Sequence, residues 1–195
     1  VTPGGCVGGL GVNPWNSYEH GLELGLANQM DIGNLSNPTY VVKAGYGGLQ
    51  IQQMLPASSP NTTDGGAHWN NIITYTDYAI TLLNTQGISF NMYVFMSEGL
   101  NDRFGKNYTA ATAQPYFQEF LSNFRARYGT TIPIVLTKFR PAIMGSISDG
   151  NASGYDYNSM FDQLALADPY LFTISATGTT WWFSQGDHWD YAGLQ

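Results

Sequence analysis

Strand-like runs alternate with helical repeats along this chain, and that alternation restricts the fold more than any other feature. Apolar residues at helical spacing predict four helices, over 18–30, 67–85, 110–128 and 155–167. Runs rich in β-branched and aromatic residues predict four strands, over 39–43, 88–95, 131–136 and 170–175. Strands separated by helices form βαβ crossovers and so lie parallel in one sheet. The sequence therefore predicts an α/β sandwich whose mostly parallel sheet is covered on both faces.

The first fifteen residues differ from this pattern. Residues 1–15 hold five glycines and two prolines, which predicts an irregular segment that follows the surface. A length of 195 residues with 43% hydrophobic side chains is enough for one core of ordinary size. We therefore expect a single domain over residues 1–195.

Composition excludes some partners and favours a location. The net charge is -7 and no run of Lys or Arg exists, so no nucleic-acid partner is expected. No run approaches the roughly 18 apolar residues of a membrane span, so no membrane partner is expected. Charged residues make up only 11% of the chain, which favours an extracellular, cell-surface or virion setting. Cys6 is the single cysteine and cannot form an internal disulfide. The sequence gives no indication of the oligomeric state.

Three segments that follow predicted strands carry residues suited to chemistry. In parallel sheets, ligands bind at the carboxyl ends of the strands. Gly47 and Gly48 lack a Cβ, so a ligand can approach their backbone N–H groups, and Asn101 offers a carboxamide donor. Asp187 and His188 supply a carboxylate and an imidazole. The alternative for each is structural: a Gly-Gly turn, a helix cap or a solvated histidine.

The order of these segments resembles a known family. The stretches HGLELGLA at 20–27, VVKAGYGG at 41–48 and EGLND at 98–102, and His188 followed by Gly193, resemble conserved blocks of the SGNH (GDSL-type) hydrolases. Within that family they are most similar to the sialate O-acetylesterase and acetylxylan esterase branch. The resemblance implies a three-layer α/β/α sandwich with a flavodoxin-like sheet, of which the first strand is not evident.

That resemblance implies a carbohydrate O-acyl esterase that acts on acetylated glycans or polysaccharides with a Ser-His-Asp triad. His188 would be the general base and Asp187 its nearest carboxylate. Asn101 and the amides of Gly47 and Gly48 would bind the oxyanion. No cofactor is implied, and no cluster of residues has the spacing of a metal site.

The sequence departs from the family pattern at several positions. Gln185 occupies the position of the triad carboxylate, so either Asp187 takes that role or the site works as a Ser-His dyad. Glu98 and Leu100 occupy the positions of the Gln and Glu that are typical of the branch. The family's Gly-Asp-Ser or Gly-Gln-Ser-Asn motif is absent from the sequence, so the nucleophile is expected upstream of Val1, in a longer polypeptide truncated here at both ends. The alternative is a catalytically inactive SGNH-like module for glycan binding or for surface or virion assembly. Trp181, Trp182 and Trp189 could stack on sugar rings in such a module.

Overall fold

A computed structural model describes residues 39–44, 48–99, 101–102, 106, 108–138 and 153–174, without the side chains of 153–156. The chain divides into two compact units, one formed by residues 44–177 and the other by residues 1–43 with 178–195. In the second unit, residues 39–43 have no regular secondary structure, and Tyr40, Val41 and Val42 are exposed. The predicted buried strand at 39–43 is therefore wrong. Its side chains favour a strand, but a strand also needs a hydrogen-bonded neighbour, and no described strand pairs with it.

The unit formed by residues 44–177 contains a parallel three-stranded sheet. Its strands are β1 (Val94–Met96), β2 (Ile134–Thr137) and β3 (Leu171–Ile174), in the spatial order β1-β2-β3. Val94 lies opposite Ile134, and Ile134 lies opposite Leu171. Because each connection between neighbouring strands contains a helix, the predicted α/β class with parallel strands is confirmed.

Among the described residues, three helices join or precede these strands. They are α1 (Ala67–Thr85), α2 (Ala110–Tyr128) and α3 (Ser153–Leu166), and a short 3₁₀ helix covers Ile51–Met54. Helix α2 begins at Thr109, whose side-chain oxygen accepts the N–H of Thr112 at 3.2 Å. Arg125 and Arg127 lie in its last turn, where positive charge interacts favourably with the helix dipole. These local signals explain why α2 has the predicted bounds.

The core is built from aromatic side chains of α2 and α3 and from one face of the sheet. Phe117 is fully buried and meets Phe161 edge to face, with ring centroids 5.2 Å apart. On the sheet, Met96, Leu136 and Leu171 are buried, whereas Phe95 and Phe172 are about half exposed, at 50% and 48%. The described helices therefore bury one face of the sheet. No helix in the described ranges is long and apolar enough to cross a membrane.

The cap of α2 gives a first prediction. Thr109→Ala removes the oxygen that accepts the N–H of Thr112, so we expect the free energy of unfolding to fall by about 1 kcal/mol. The control Thr109→Ser keeps that oxygen and should stay within about 0.5 kcal/mol of the parent. Urea unfolding followed by circular dichroism measures both variants, and equal losses would rule out the cap as the cause.

Candidate active site

The segment after β1 brings polar side chains to the carboxyl end of the strand. Gly99 is buried with φ 109°, a backbone conformation that favours glycine. Asn101 follows as a half-buried residue, and Asp102 is fully buried at 0% exposure. A buried carboxyl group requires hydrogen-bond partners. The partners of Asp102 show which other segment lies against this one.

Asp102 connects this segment to the one that follows Gly48. Its two carboxylate oxygens accept the backbone N–H of Ile51 at 3.2 and 3.1 Å. Ile51 begins the 3₁₀ helix and is itself fully buried. The structure thereby brings the segment after Gly48 against the segment that contains Asn101, although about fifty residues separate them in sequence. Asp102 therefore joins the two segments through its carboxylate.

A second set of hydrogen bonds holds the 3₁₀ helix in place. The hydroxyl of Tyr108 donates to Gln52 Oε1 at 2.8 Å, and Gln52 Nε2 donates to the carbonyl of Asn61 at 3.2 Å. The backbone N–H of Tyr108 donates to the carbonyl of Asp102 at 2.9 Å, and the Tyr157 hydroxyl donates to the carbonyl of Tyr108 at 3.1 Å. Tyr108 therefore contacts both segments and the core, which fixes the backbone on which the candidate site stands.

Two carboxyl groups at this edge of the sheet have raised pKa values. Burial, assisted by the negative charge of Asp102, raises the pKa of Glu98 to about 8. Burial also raises the pKa of Asp102 to about 6, against the opposing effect of the hydrogen bonds from the Ile51 N–H. At neutral pH, Glu98 is therefore mostly protonated and can donate a hydrogen bond as well as accept one. In the sequence, Glu98 stood out only because it replaces the Gln of the family pattern. The presence of Asp102 four residues later could have indicated that the two carboxyl groups interact.

The predicted site residues divide into two groups. Gly48 and Asn101 are described, and they belong to the two segments that Asp102 joins. Gly48 is exposed with φ 74°, and a Cβ added there would meet nothing within 4 Å. Gly47, Asp187 and His188 lie outside the described residues. Their roles, and those of Gly48 and Asn101 in catalysis, remain predictions.

A separate carboxylate–histidine pair lies at the start of α1. Asp64 Oδ2 is 2.5 Å from His68 Nδ1, and the carboxylate also accepts the backbone N–H groups of Gly66 and His68 at 2.9 and 3.1 Å. Burial opposes ionisation of Asp64, but these hydrogen bonds outweigh it and lower its pKa. This arrangement satisfies N–H groups at the start of the helix. Across the described residues, no three His, Cys, Asp or Glu side chains are placed to hold a metal ion.

Together, these observations define an α/β protein with a parallel sheet and a polar candidate site at the carboxyl end of β1. The fold is similar to the crystal structure of a protein from Arabidopsis thaliana determined at 1.6 Å, with a TM-score of 0.64 and 18% sequence identity. The match covers 90% of this chain and 63% of the plant protein, so this chain spans less than two thirds of that protein's length. At this identity the likeness shows the fold alone. No protein-family model and no curated protein sequence matches the chain.

Proposed function

We propose that this chain is the α/β body of an SGNH-type carbohydrate O-acyl esterase, with a three-layer sandwich and a flavodoxin-like sheet. The observation that carries the proposal is the hydrogen bonding of the Ile51 N–H to the Asp102 carboxylate. It brings together the segments of Gly48 and Asn101, which are the two that the family resemblance assigns to the oxyanion site. The Asn101 segment follows β1, at the carboxyl edge of a parallel sheet where ligands bind, which supports the same assignment.

In this proposal the residues act on an acetyl ester of a glycan outside the cell or on a surface. A serine, expected upstream of Val1, attacks the acyl carbonyl carbon while His188 accepts its proton, and Asp187 orients the imidazole. The amides of Gly47 and Gly48 and the carboxamide of Asn101 donate hydrogen bonds to the oxyanion. His188 then returns the proton to the departing sugar oxygen, and water releases acetate from the serine in a second step. Protonated Glu98 adds a neutral hydrogen-bond donor to the segment that follows β1.

The test uses the longest natural polypeptide that contains residues 1–195. Acetate release is measured from acetylated xylan and from p-nitrophenyl acetate. We expect His188→Ala to lower kcat/KM by about 100-fold or more, because general-base catalysis is lost. We expect Asn101→Ala to lower kcat by about 100-fold, the typical effect of one oxyanion donor. The control Asn84→Ala removes an exposed carboxamide at the end of α1 and should leave the rates unchanged. Unchanged rates in His188→Ala would exclude the proposed base.

One observation favours a second function, a non-catalytic glycan-binding module. Tyr75 and Tyr78 are 50% and 56% exposed and lie three residues apart on α1, so both rings are on the same side of the helix. Exposed aromatic rings of this kind can stack on sugars. Acetylated xylan distinguishes the two functions, because its binding and the release of acetate from it can be measured separately. Binding of acetylated xylan without acetate release, weakened by the paired Tyr75→Ala and Tyr78→Ala changes, would support the module and contradict the esterase.

A further inference from the structure

A cleft lies between α2 and α3, at the opposite end of the sheet from the candidate active site. Its volume is about 250 Å³, and its apolar wall is formed by Leu121, Leu164 and Leu171. Because α2 ends and β3 begins here, the cleft lies near the amino ends of the strands. The side chains of Gln118 and Ser122 also line it and are exposed. The cleft is therefore an amphipathic space that the proposed esterase chemistry does not use.

One charged side chain in this cleft has unused hydrogen-bond donors. Arg125 lines the cleft and donates from Nη1 to the carboxylate of Asp168. Its Nε and Nη2 atoms are buried and have no acceptor in the described part of the chain. Burial lowers the pKa of the guanidinium, yet arginine stays protonated in proteins. Two buried donor nitrogens without acceptors are costly, at about 1–3 kcal/mol for each group.

The identity of the two free atoms suggests what they would bind. Nε and Nη2 form one edge of the planar guanidinium, and their N–H bonds are parallel. That edge matches the two oxygens of a carboxylate, which it can bind with two hydrogen bonds. Asp168 occupies the remaining nitrogen and also accepts the Tyr170 N–H at 3.0 Å, so it is held on the other side of the guanidinium. The leucines that line the cleft together with Arg125 suit an aliphatic group.

We propose that this cleft binds a small carboxylate with a short aliphatic body, its oxygens on Nε and Nη2 of Arg125 and its hydrocarbon on the three leucines. Because Nε and Nη2 are buried, the ligand reaches them only when the side chains that cover them move. Asp168 already balances the charge of Arg125, so we expect a dissociation constant on the order of 1 mM. The inference does not depend on the proposed esterase function.

The experiment titrates the same natural polypeptide with butyrate, followed by calorimetry and by NMR. Butyramide, the uncharged analogue, and inorganic phosphate are the comparison probes. We expect saturable binding of butyrate that is at least about 10-fold tighter than that of butyramide. Arg125→Lys keeps the charge but loses the paired donors, so it should weaken butyrate by about 10-fold. Asn101→Ala, in the candidate active site, should leave butyrate binding unchanged.

A second variant tests the cleft without touching the guanidinium, in case Arg125→Lys does not fold. Ala167 lines the cleft from an exposed position, so Ala167→Leu should narrow it and weaken hexanoate more than acetate. Equal binding of butyrate and butyramide, or no saturable binding, would overturn the proposal. Equal binding of phosphate would overturn the assignment to a carboxylate. Loss of butyrate binding in Asn101→Ala would place the ligand in the candidate active site instead.

Discussion

Replacing Gly66 with alanine is expected to lower the free energy of unfolding by about 2–5 kcal/mol. A Cβ at this position would lie 2.4 Å from the backbone nitrogen of Ala57 and 2.9 Å from its Cα, so backbone atoms must move. Gly66 also has φ 81°, a conformation that L-residues rarely adopt. Both costs fall at the start of α1, where the carbonyl of Gly66 accepts the N–H of Asn70 at 2.9 Å. The prediction is measured by urea unfolding followed by circular dichroism.

The neighbouring glycine provides a matched control that separates the two costs. Gly65 has a similar φ of 65°, but a Cβ there would meet nothing within 4 Å. Gly65→Ala should therefore lose only the conformational part, about 1 kcal/mol. If Gly66→Ala lowers the free energy of unfolding no more than Gly65→Ala does, the backbone at Ala57 accommodates the added Cβ at no cost. The prediction would then be wrong.

An element was predicted well when the interactions that form it are between residues close together in sequence, and less well when they are between distant segments. Helices α1 and α2 have the predicted bounds because their signals are local: apolar spacing, the Thr109 cap, and glycines after each helix, Gly87 with φ 68° and Gly129 with φ 131°. The strand after α1 was predicted from residue 88 but begins at Val94. The first residue with a partner opposite it in β2 is Val94, which faces Ile134. Strand bounds depend on pairing with distant segments, which no local pattern contains.

The same difference separates the predicted from the unpredicted parts of the candidate site. Asn101 could be found because it follows a strand, and residues after strands often form sites. Gly48 was found by the same argument although the strand predicted before it, at 39–43, does not form. The role of Asp102 could not be found, because its partner, Ile51, is 51 residues earlier in the chain. The unpaired donors of Arg125 likewise depend on how α2 packs near Asp168. Burial and partners at long sequence distance are properties of the packed chain.

The raised pKa of Glu98 predicts an unusual dependence of stability on pH. Burial first, and then the charge of Asp102, raises this pKa from 4.5 in the unfolded chain to about 8 in the folded protein. The folded state therefore binds the proton more tightly than the unfolded state does. The stability that Glu98 contributes is fully present below pH 4.5 and is lost as the pH rises through 8. Asp102, raised from 3.8 to about 6, acts in the same direction at lower pH.

Glu98→Gln is thus expected to make the protein more stable at pH 9, by about 2–4 kcal/mol, because the buried side chain can no longer become charged. Between pH 6.5 and pH 9, where Asp102 has mostly finished titrating, the parent should lose stability and the variant should lose much less. Urea midpoints at these two pH values measure the effect. Glu119→Gln is the matched control: Glu119 accepts a hydrogen bond from Asn61 Nδ2 at 2.8 Å, and its replacement should keep the parent's pH dependence. A parent whose stability is constant or rises from pH 6.5 to 9 would contradict the assignment of a neutral, buried Glu98.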